Sequence, residues 1–117
     1  MNGSLAYHAG YAAEASVERE YERRGFTVLA RRWRGRGGEI DLILRNDDQV
    51  VFVEVKKSKS HDRAVAMLGA RQLFRIQQTA TEFLGTQAKG QLTPSRFDVA
   101  LVDGIGAIKL IENVAFA

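Results

Sequence analysis

Two hydrophobic segments separated by a short polar stretch constrain the fold of this chain most strongly. They are "GEIDLILR" (38–45) and "VVFVEVKK" (50–57), and both are rich in the β-branched and aliphatic residues typical of strands. The short polar link predicts an antiparallel hairpin. Charged residues nevertheless recur at every second position, so one face of this hairpin has to accommodate them. These interrupting residues are Glu39, Asp41, Glu54 and Lys56.

The turn fixes which of these residues oppose each other. A two-residue loop at Asp47–Asp48 and a four-residue loop at 46–49 give the same register, in which Asp41 lies across from Glu54. A three-residue loop would place Asp41 against the apolar Val55, which the alternating pattern disfavours. We therefore predict two opposed carboxylates, with Cβ atoms about 4.5–5.5 Å apart.

Opposed carboxylates repel each other unless a compensating charge is present. A hard divalent cation such as Mg²⁺ binds carboxylate oxygens and retains waters for a phosphate substrate. Lys56 shares a face with Glu54, where it could position or deprotonate a metal-bound water or stabilise charge on a phosphate. Glu39, opposite Lys56, is predicted to orient that lysine rather than bind metal. The alternative is that this Glu-x-Lys pattern marks an ordinary solvent-facing strand.

The remaining segments complete a small α/β domain. The predicted elements are a helix from about Leu5 to Arg24, a strand over 26–33, the two hairpin strands, a helix from about Ala64 to Leu84, and strands over 96–103 and 107–114. The order α-β-β-β-α-β-β predicts a mixed β-sheet flanked by helices, because the second helix lets the chain cross over to a further strand. Residues 1–117 are predicted to form one domain.

Composition excludes several classes of site. The chain has 117 residues and no cysteine, which excludes disulfides and thiolate metal sites and fits a cytoplasmic protein. Its apolar runs are far shorter than the roughly 20 residues of a membrane span, and the N-terminal segment lacks the features of a signal peptide. We therefore expect no interaction with a membrane.

Basic residues cluster on both sides of the hairpin, although the net charge is only +3. Such clusters favour a polyanion such as nucleic acid. The alternative is a solvated surface that keeps the protein in solution. The residues predicted to contact nucleic acid are Arg31, Arg32, Arg34, Arg36, Lys57 and Lys59.

The segments "GEIDLI", "VFVEVK" and "RFDVALV" resemble the PD-(D/E)xK, restriction-endonuclease-like nuclease superfamily. The match is closer to the YraN-like family of uncharacterised bacterial proteins, and it is also similar to Holliday-junction resolvases. The resemblance implies a three-layer core and Mg²⁺- or Mn²⁺-dependent hydrolysis of phosphodiesters in DNA, including branched DNA. It implies catalytic roles for Asp41, Glu54 and Lys56, with the metal held by Asp41, Glu54 and the carbonyl of Val55. A two-fold-symmetric DNA junction would favour a homodimer.

Two helical residues match further positions of these families. Glu14 matches an acid that reaches the metal site, here through water, and Gln72 matches a glutamine near that site. The alternative for both is a polar residue on a helix surface. The chain also departs from the pattern, since Ser58 replaces a usual arginine, Arg71 replaces a usual lysine, and Ile40 stands where the proline of the Pro-Asp dipeptide would be.

Two other functions remain open from the sequence. The chain could be a nucleic-acid-binding module that keeps the fold and the site without cutting. It could also be a structural partner in a DNA-processing complex, with the acidic residues forming a hydrogen-bonded network.

Overall fold

The structure is a computed structural model that describes the backbone of residues 2–66 and 68–114, and the side chains of residues 11–64 and 68–114. Its helices are α1 (Asn2–Arg23), α2 (His61–Ala66) and α3 (Ala70–Leu84), and a 3₁₀ turn covers Gly90–Leu92. Its strands are β1 (Thr27–Arg34), β2 (Glu39–Asn46), β3 (Gln49–Lys57), β4 (Ser95–Val102) and β5 (Ile108–Ile111).

The five strands form one mixed sheet in the order β1-β2-β3-β4-β5. Neighbouring strands are antiparallel except β3 and β4, which are parallel. Parallel neighbours need a crossover connection, and α2 with α3 provides it. The predicted α/β fold with a mixed sheet flanked by helices is therefore confirmed.

Helices cover both faces of the sheet and create two hydrophobic cores. On one face, α1 packs Ala13, Val17 and Tyr21 onto residues that include Leu42 and Leu44 of β2 and Val51 and Val53 of β3. On the other face, α3 packs Ile76, Ala80, Phe83 and Leu84 onto residues that include Ile43, Phe52 and Phe97. The "VVFV" segment of β3 is buried because it lies between these two layers.

The single helix predicted from Ala64 to Leu84 is wrong, because the structure has two helices there. α2 ends at Ala66 and α3 begins at Ala70, after Gly69 in an extended conformation (φ −97°, ψ 165°). Glycine is a poor helix former and a favoured residue at helix starts, so the break falls at the one glycine of this segment. Met67, which was predicted to lie within the helix, is outside the described residues. None of the helices in the described ranges is long and apolar enough to cross a membrane.

A fully buried carboxylate, Asp98, joins three parts of the fold. Its oxygens accept hydrogen bonds from the Tyr21 hydroxyl of α1 (2.7 Å), the Arg96 Nε of β4 (3.1 Å) and the Asn113 backbone N–H (2.9 Å). Burial and the adjacent Asp98 charge raise the pKa of Tyr21, so its hydroxyl stays a donor. Asn113 lies beyond β5, which ends at Ile111. The last strand is therefore shorter than the predicted 107–114.

We predict that Tyr21→Phe lowers the free energy of unfolding by about 1–3 kcal/mol. The substitution keeps the buried ring but removes a donor from a buried carboxylate. Urea denaturation measures the change. The control is Thr81→Val, which removes an exposed helix hydroxyl and should change the free energy of unfolding by less than about 0.5 kcal/mol. Equal effects of the two substitutions would contradict the proposed role of the Asp98 network.

Candidate metal centre

The predicted register of the central hairpin is confirmed. A two-residue turn at Asp47–Asp48 places Asn46 opposite Gln49, and the paired residues continue as far as Leu42 and Val53. The turn uses a positive φ of 52° at Asp47, which aspartate tolerates better than most residues. Asp41 and Glu54 therefore lie one step beyond the last paired residues of β2 and β3.

The regular alternation of β2 breaks at Asp41. Ile40 and Ile43 pack into the same core, although residues three apart on a regular strand point to opposite faces. In β1, Arg32 is opposite Asp41 and has φ 50°, which is uncommon outside glycine. The two strands are thus irregular at the level of Asp41.

Asp41 uses its carboxylate to bind the neighbouring strand. Its Oδ2 accepts the backbone N–H of Val55 at 2.8 Å. Asp41 and Glu54 were predicted to share one face of the hairpin, but their carboxylates lie on different sides. Asp41 lines a cleft of about 390 Å³ beside α1, whereas Glu54 lines a cleft of about 530 Å³ beside α3. The two carboxylates meet where β2 and β3 separate.

Glu54 is buried, with 6% of its surface exposed. Its Oε2 accepts a hydrogen bond from Gln72 Nε2 (2.6 Å) and lies 3.5 Å from the ammonium of Lys56. Its Oε1 is buried and accepts no hydrogen bond from the described residues. Burial first, and then the charge of Asp41 and a hydrogen bond with it, raises the pKa of Glu54 to about 8, against the opposing effect of Lys56. Without a cation, Glu54 is therefore protonated at neutral pH.

The donor set fits a hydrated divalent cation in part. The free Oε1 of Glu54 beside the Asp41 carboxylate offers the oxygen ligands that such an ion prefers. Among the described residues no third acidic or histidine side chain joins them. Glu14, implied as a further ligand, instead forms an ion pair with Arg32 at 2.9 Å. Burial, mainly, raises the pKa of Glu14, while Arg32 lowers it. Two protein carboxylates leave most ligand positions of the ion to water.

The role predicted for Glu39 stays a prediction. It was expected to lie across from Lys56 and orient it, but its carboxylate binds Arg34 at 3.2 Å. Lys56 instead contacts Glu54, as its position two residues along the same strand face allows. Gln72, for which a surface position was the alternative, lies at the site and holds Glu54. The role of the Val55 carbonyl stays a prediction, since only the Val55 amide is engaged with Asp41.

Most of the predicted arginine cluster is already paired with acids. Arg31 binds Glu18 through two hydrogen bonds of 2.7 and 2.8 Å. The other pairs are Arg32 with Glu14 and Arg34 with Glu39. The exposed residues of the set that form no ion pair with the described part of the chain are Arg36, Lys57 and Lys59. The cluster therefore carries less free positive charge than its sequence indicates.

The cleft beside Glu54 contains two arginines that the sequence analysis did not assign to the site. Arg71 and Arg75 of α3 line it together with Gln72. In the sequence, Arg71 stands out only as a departure from the family pattern. A signal was nevertheless present, because residues four apart on a helix share a face and Gln72 lies between them.

These elements define a class of protein: a three-layer α/β domain with two adjacent carboxylates where two central strands separate. The chain matches Uncharacterised protein family UPF0102 over residues 13–102 and belongs to that family. It is 57% identical to a UPF0102 protein of Cereibacter sphaeroides over 117 residues, which cover 100% of this chain and 99% of the relative. It is 59% identical to a UPF0102 protein of Ruegeria pomeroyi over 111 residues, or 95% and 90% of the two chains. The expected membership of the YraN-like family is confirmed.

The raised pKa of Glu54 predicts how stability depends on pH in the presence of a chelator. The folded state holds a proton on Glu54 up to about pH 8, whereas the unfolded chain releases it near 4.5. Between these values unfolding releases a proton, so the free energy of unfolding should fall as pH rises, by at most about 1.4 kcal/mol per pH unit from this group. Urea denaturation at several pH values should show a shallower fall for Glu54→Gln than for the wild type.

Glu22→Gln is the matched control, because it removes an exposed helix carboxylate and should keep the wild-type pH profile. If Glu54→Gln and the wild type have the same profile between pH 5 and 8, Glu54 is ionised in the folded protein and the account of the carboxylate pair is wrong.

Proposed function

We propose that this protein is a Mg²⁺- or Mn²⁺-dependent hydrolase of phosphodiester bonds in nucleic acid. One observation carries the proposal: the buried Oε1 of Glu54 accepts no hydrogen bond from the described residues, beside a second carboxylate, Asp41. The repulsion between the two adjacent acids raises the pKa of Glu54, and a divalent cation would compensate both acids at once. The cleft beside α3 would give a substrate access to Glu54, which is one of its lining residues.

Asp41 and Glu54 would hold the cation, with the Val55 carbonyl as a further oxygen ligand. Bound there, the ion would polarise a phosphate oxygen and lower the pKa of a coordinated water. The Val55 N–H fixes one oxygen of Asp41, and Gln72 fixes one oxygen of Glu54, so these two contacts orient both carboxylates. Glu14 would join through water after releasing Arg32.

Lys56 would be the second positively charged group at the site, beside the metal ion. Its ammonium is mostly buried and lies 3.5 Å from Glu54 Oε2, on the carboxylate whose Oε1 we assign to the metal. From there it would donate a hydrogen bond to the attacking water or to the phosphate as negative charge develops. Lys56 would thus donate its hydrogen bond either to the attacking water or to the phosphate. In both cases it would contact the reacting atoms.

The resemblance to resolvases favours DNA, including branched DNA, as the substrate, and a homodimer on a two-fold-symmetric junction. A cytoplasmic location fits such a role. One observation favours the alternative of a binding module that does not cut: Glu14 is paired with Arg32, which leaves two carboxylates at the centre. A structural partner in a DNA-processing complex is the third candidate.

We predict that the wild type cleaves at least one of linear, single-stranded or branched DNA with Mg²⁺ or Mn²⁺, and none with a chelator. Asp41→Asn should reduce the rate by at least roughly a hundredfold, because it removes a charged ligand that stabilises the reacting centre. Gel electrophoresis of labelled DNA measures both rates. Asp48→Asn is the matched control, since Asp48 is exposed in the β2–β3 turn, and it should cut like the wild type.

If the folded wild type leaves every substrate intact, the hydrolase proposal fails. Salt-sensitive binding without cleavage would then support the binding module, and no binding would support the structural partner. If Asp41→Asn cuts as fast as the wild type, the assignment of the metal ligands is wrong.

A further inference from the structure

We infer that the cleft between α3 and the β1–β2 turn is a phosphodiester-binding site, with Arg71 and Arg75 as its anion ligands. The inference rests on the proposed function in one respect, because it takes the bound phosphodiester to be part of a nucleic-acid substrate. It replaces Arg31, Arg32 and Arg34 of β1, which were predicted from the sequence, as the main phosphate contact. The cleft has a volume of about 530 Å³ and has Glu54 among its lining residues.

The two arginines have the geometry of an anion clamp. They lie four residues apart on α3, so both side chains occupy one face of the helix, on either side of the turn that bears Gln72. Both side chains are exposed, and neither forms an ion pair with a residue that the structure describes. Guanidinium groups donate paired hydrogen bonds to phosphate oxygens. A phosphate in the cleft would therefore meet two arginines without a competing acid.

The acids of this cleft are already engaged by other groups. Glu39 binds Arg34, and Glu54 is held by Gln72 and Lys56. On β1, by contrast, the three arginines at positions 31, 32 and 34 each contact a glutamate. A phosphate must break these ion pairs to use the β1 arginines, whereas it can bind Arg71 and Arg75 directly.

The opposite side of the cleft is formed by backbone without side chains. Gly37 and Gly38 line it, and Gly38 has φ 147°, a conformation that favours glycine. A Cβ on Gly37 would lie 3.0 Å from Thr79 Oγ1 and 3.3 Å from the Arg75 carbonyl, so the turn packs closely on α3. The close packing fixes the position of Arg75 relative to the turn.

The start of α3 adds to this charge. Gly69 lines the cleft and caps the helix without a side-chain hydrogen bond, so the first N–H groups of α3 have no side-chain acceptor from the cap. The positive end of the helix dipole lies at the same place. A bound phosphate there would share the cleft with Glu54, which we assign to the metal.

The test measures binding without cleavage. Fluorescence anisotropy of a labelled oligonucleotide, single-stranded or duplex, is recorded in EDTA over a series of NaCl concentrations. Arg71→Ala/Arg75→Ala should bind at least about tenfold more weakly than the wild type. The slope of log K against log salt should become shallower by about 1.4 for a single strand or 1.8 for a duplex, as expected for two lost phosphate contacts.

Arg31→Ala/Arg34→Ala is the charge-matched control, because it removes the same number of charges from the paired set. It should weaken binding by less than about threefold and leave the slope nearly unchanged. Equal losses in the two double variants would overturn the inference, and so would wild-type binding by Arg71→Ala/Arg75→Ala. Circular dichroism and thermal denaturation confirm that each variant is folded.

Two further outcomes separate the possible ligands and the two proposals. If inorganic phosphate displaces the oligonucleotide at an ionic strength where chloride does not, the cleft is a site for free phosphate and the phosphodiester assignment is wrong. If the protein cleaves DNA but its binding does not depend on Arg71 and Arg75, the inference is wrong and the hydrolase proposal stands. Binding that depends on both arginines, without any cleavage, supports the inference while the hydrolase proposal fails.

Discussion

The hydrogen bond from the Val55 N–H to Asp41 is the interaction on which the candidate site depends. It holds a carboxylate between β2 and β3 where their pairing ends, and so keeps Asp41 next to Glu54. Glu54 cannot move away, because Gln72 of α3 holds its other oxygen within the sheet–helix layer. Two acids fixed in contact repel each other, and a proton on Glu54 relieves this repulsion. A divalent cation would relieve it more fully, which links the fold directly to the proposed chemistry.

The ion pairs distinguish arginines that bind an acidic side chain of the protein from arginines that remain available to a ligand. Glutamates of α1 pair with Arg31 and Arg32, and these two pairs join the first helix to the edge of the sheet. Glu39 of β2 pairs with Arg34 of the neighbouring strand. The arginines of α3 have no such partners within the described ranges and lie along the cleft that contains Glu54. The same residue type therefore has different roles on β1 and on α3, and only the tertiary contacts distinguish them.

The fold and the core of the site could be predicted because they depend on local patterns. Alternation and turn length determine the hairpin register, and a short polar turn leaves few alternatives to Leu42 opposite Val53. The irregularity at Arg32 could not be predicted, since an arginine with positive φ has no sequence signal. The partner of Glu39 was also missed, because it depends on the β1–β2 register, which the glycine-rich link between these strands leaves open. The helix break at Gly69 could have been considered, but the apolar stripe on either side of it favoured one continuous helix.

Calorimetric titration with Mn²⁺ tests the central claim most directly, because it examines the carboxylate pair without requiring any substrate. The account predicts that the wild type binds Mn²⁺, and that Glu54→Gln and Asp41→Asn each bind it more than about tenfold more weakly, since each loses a charged ligand. The turn variant Asp48→Asn should bind like the wild type. Wild-type Mn²⁺ affinity in Glu54→Gln, or no binding by the wild type, would contradict the account.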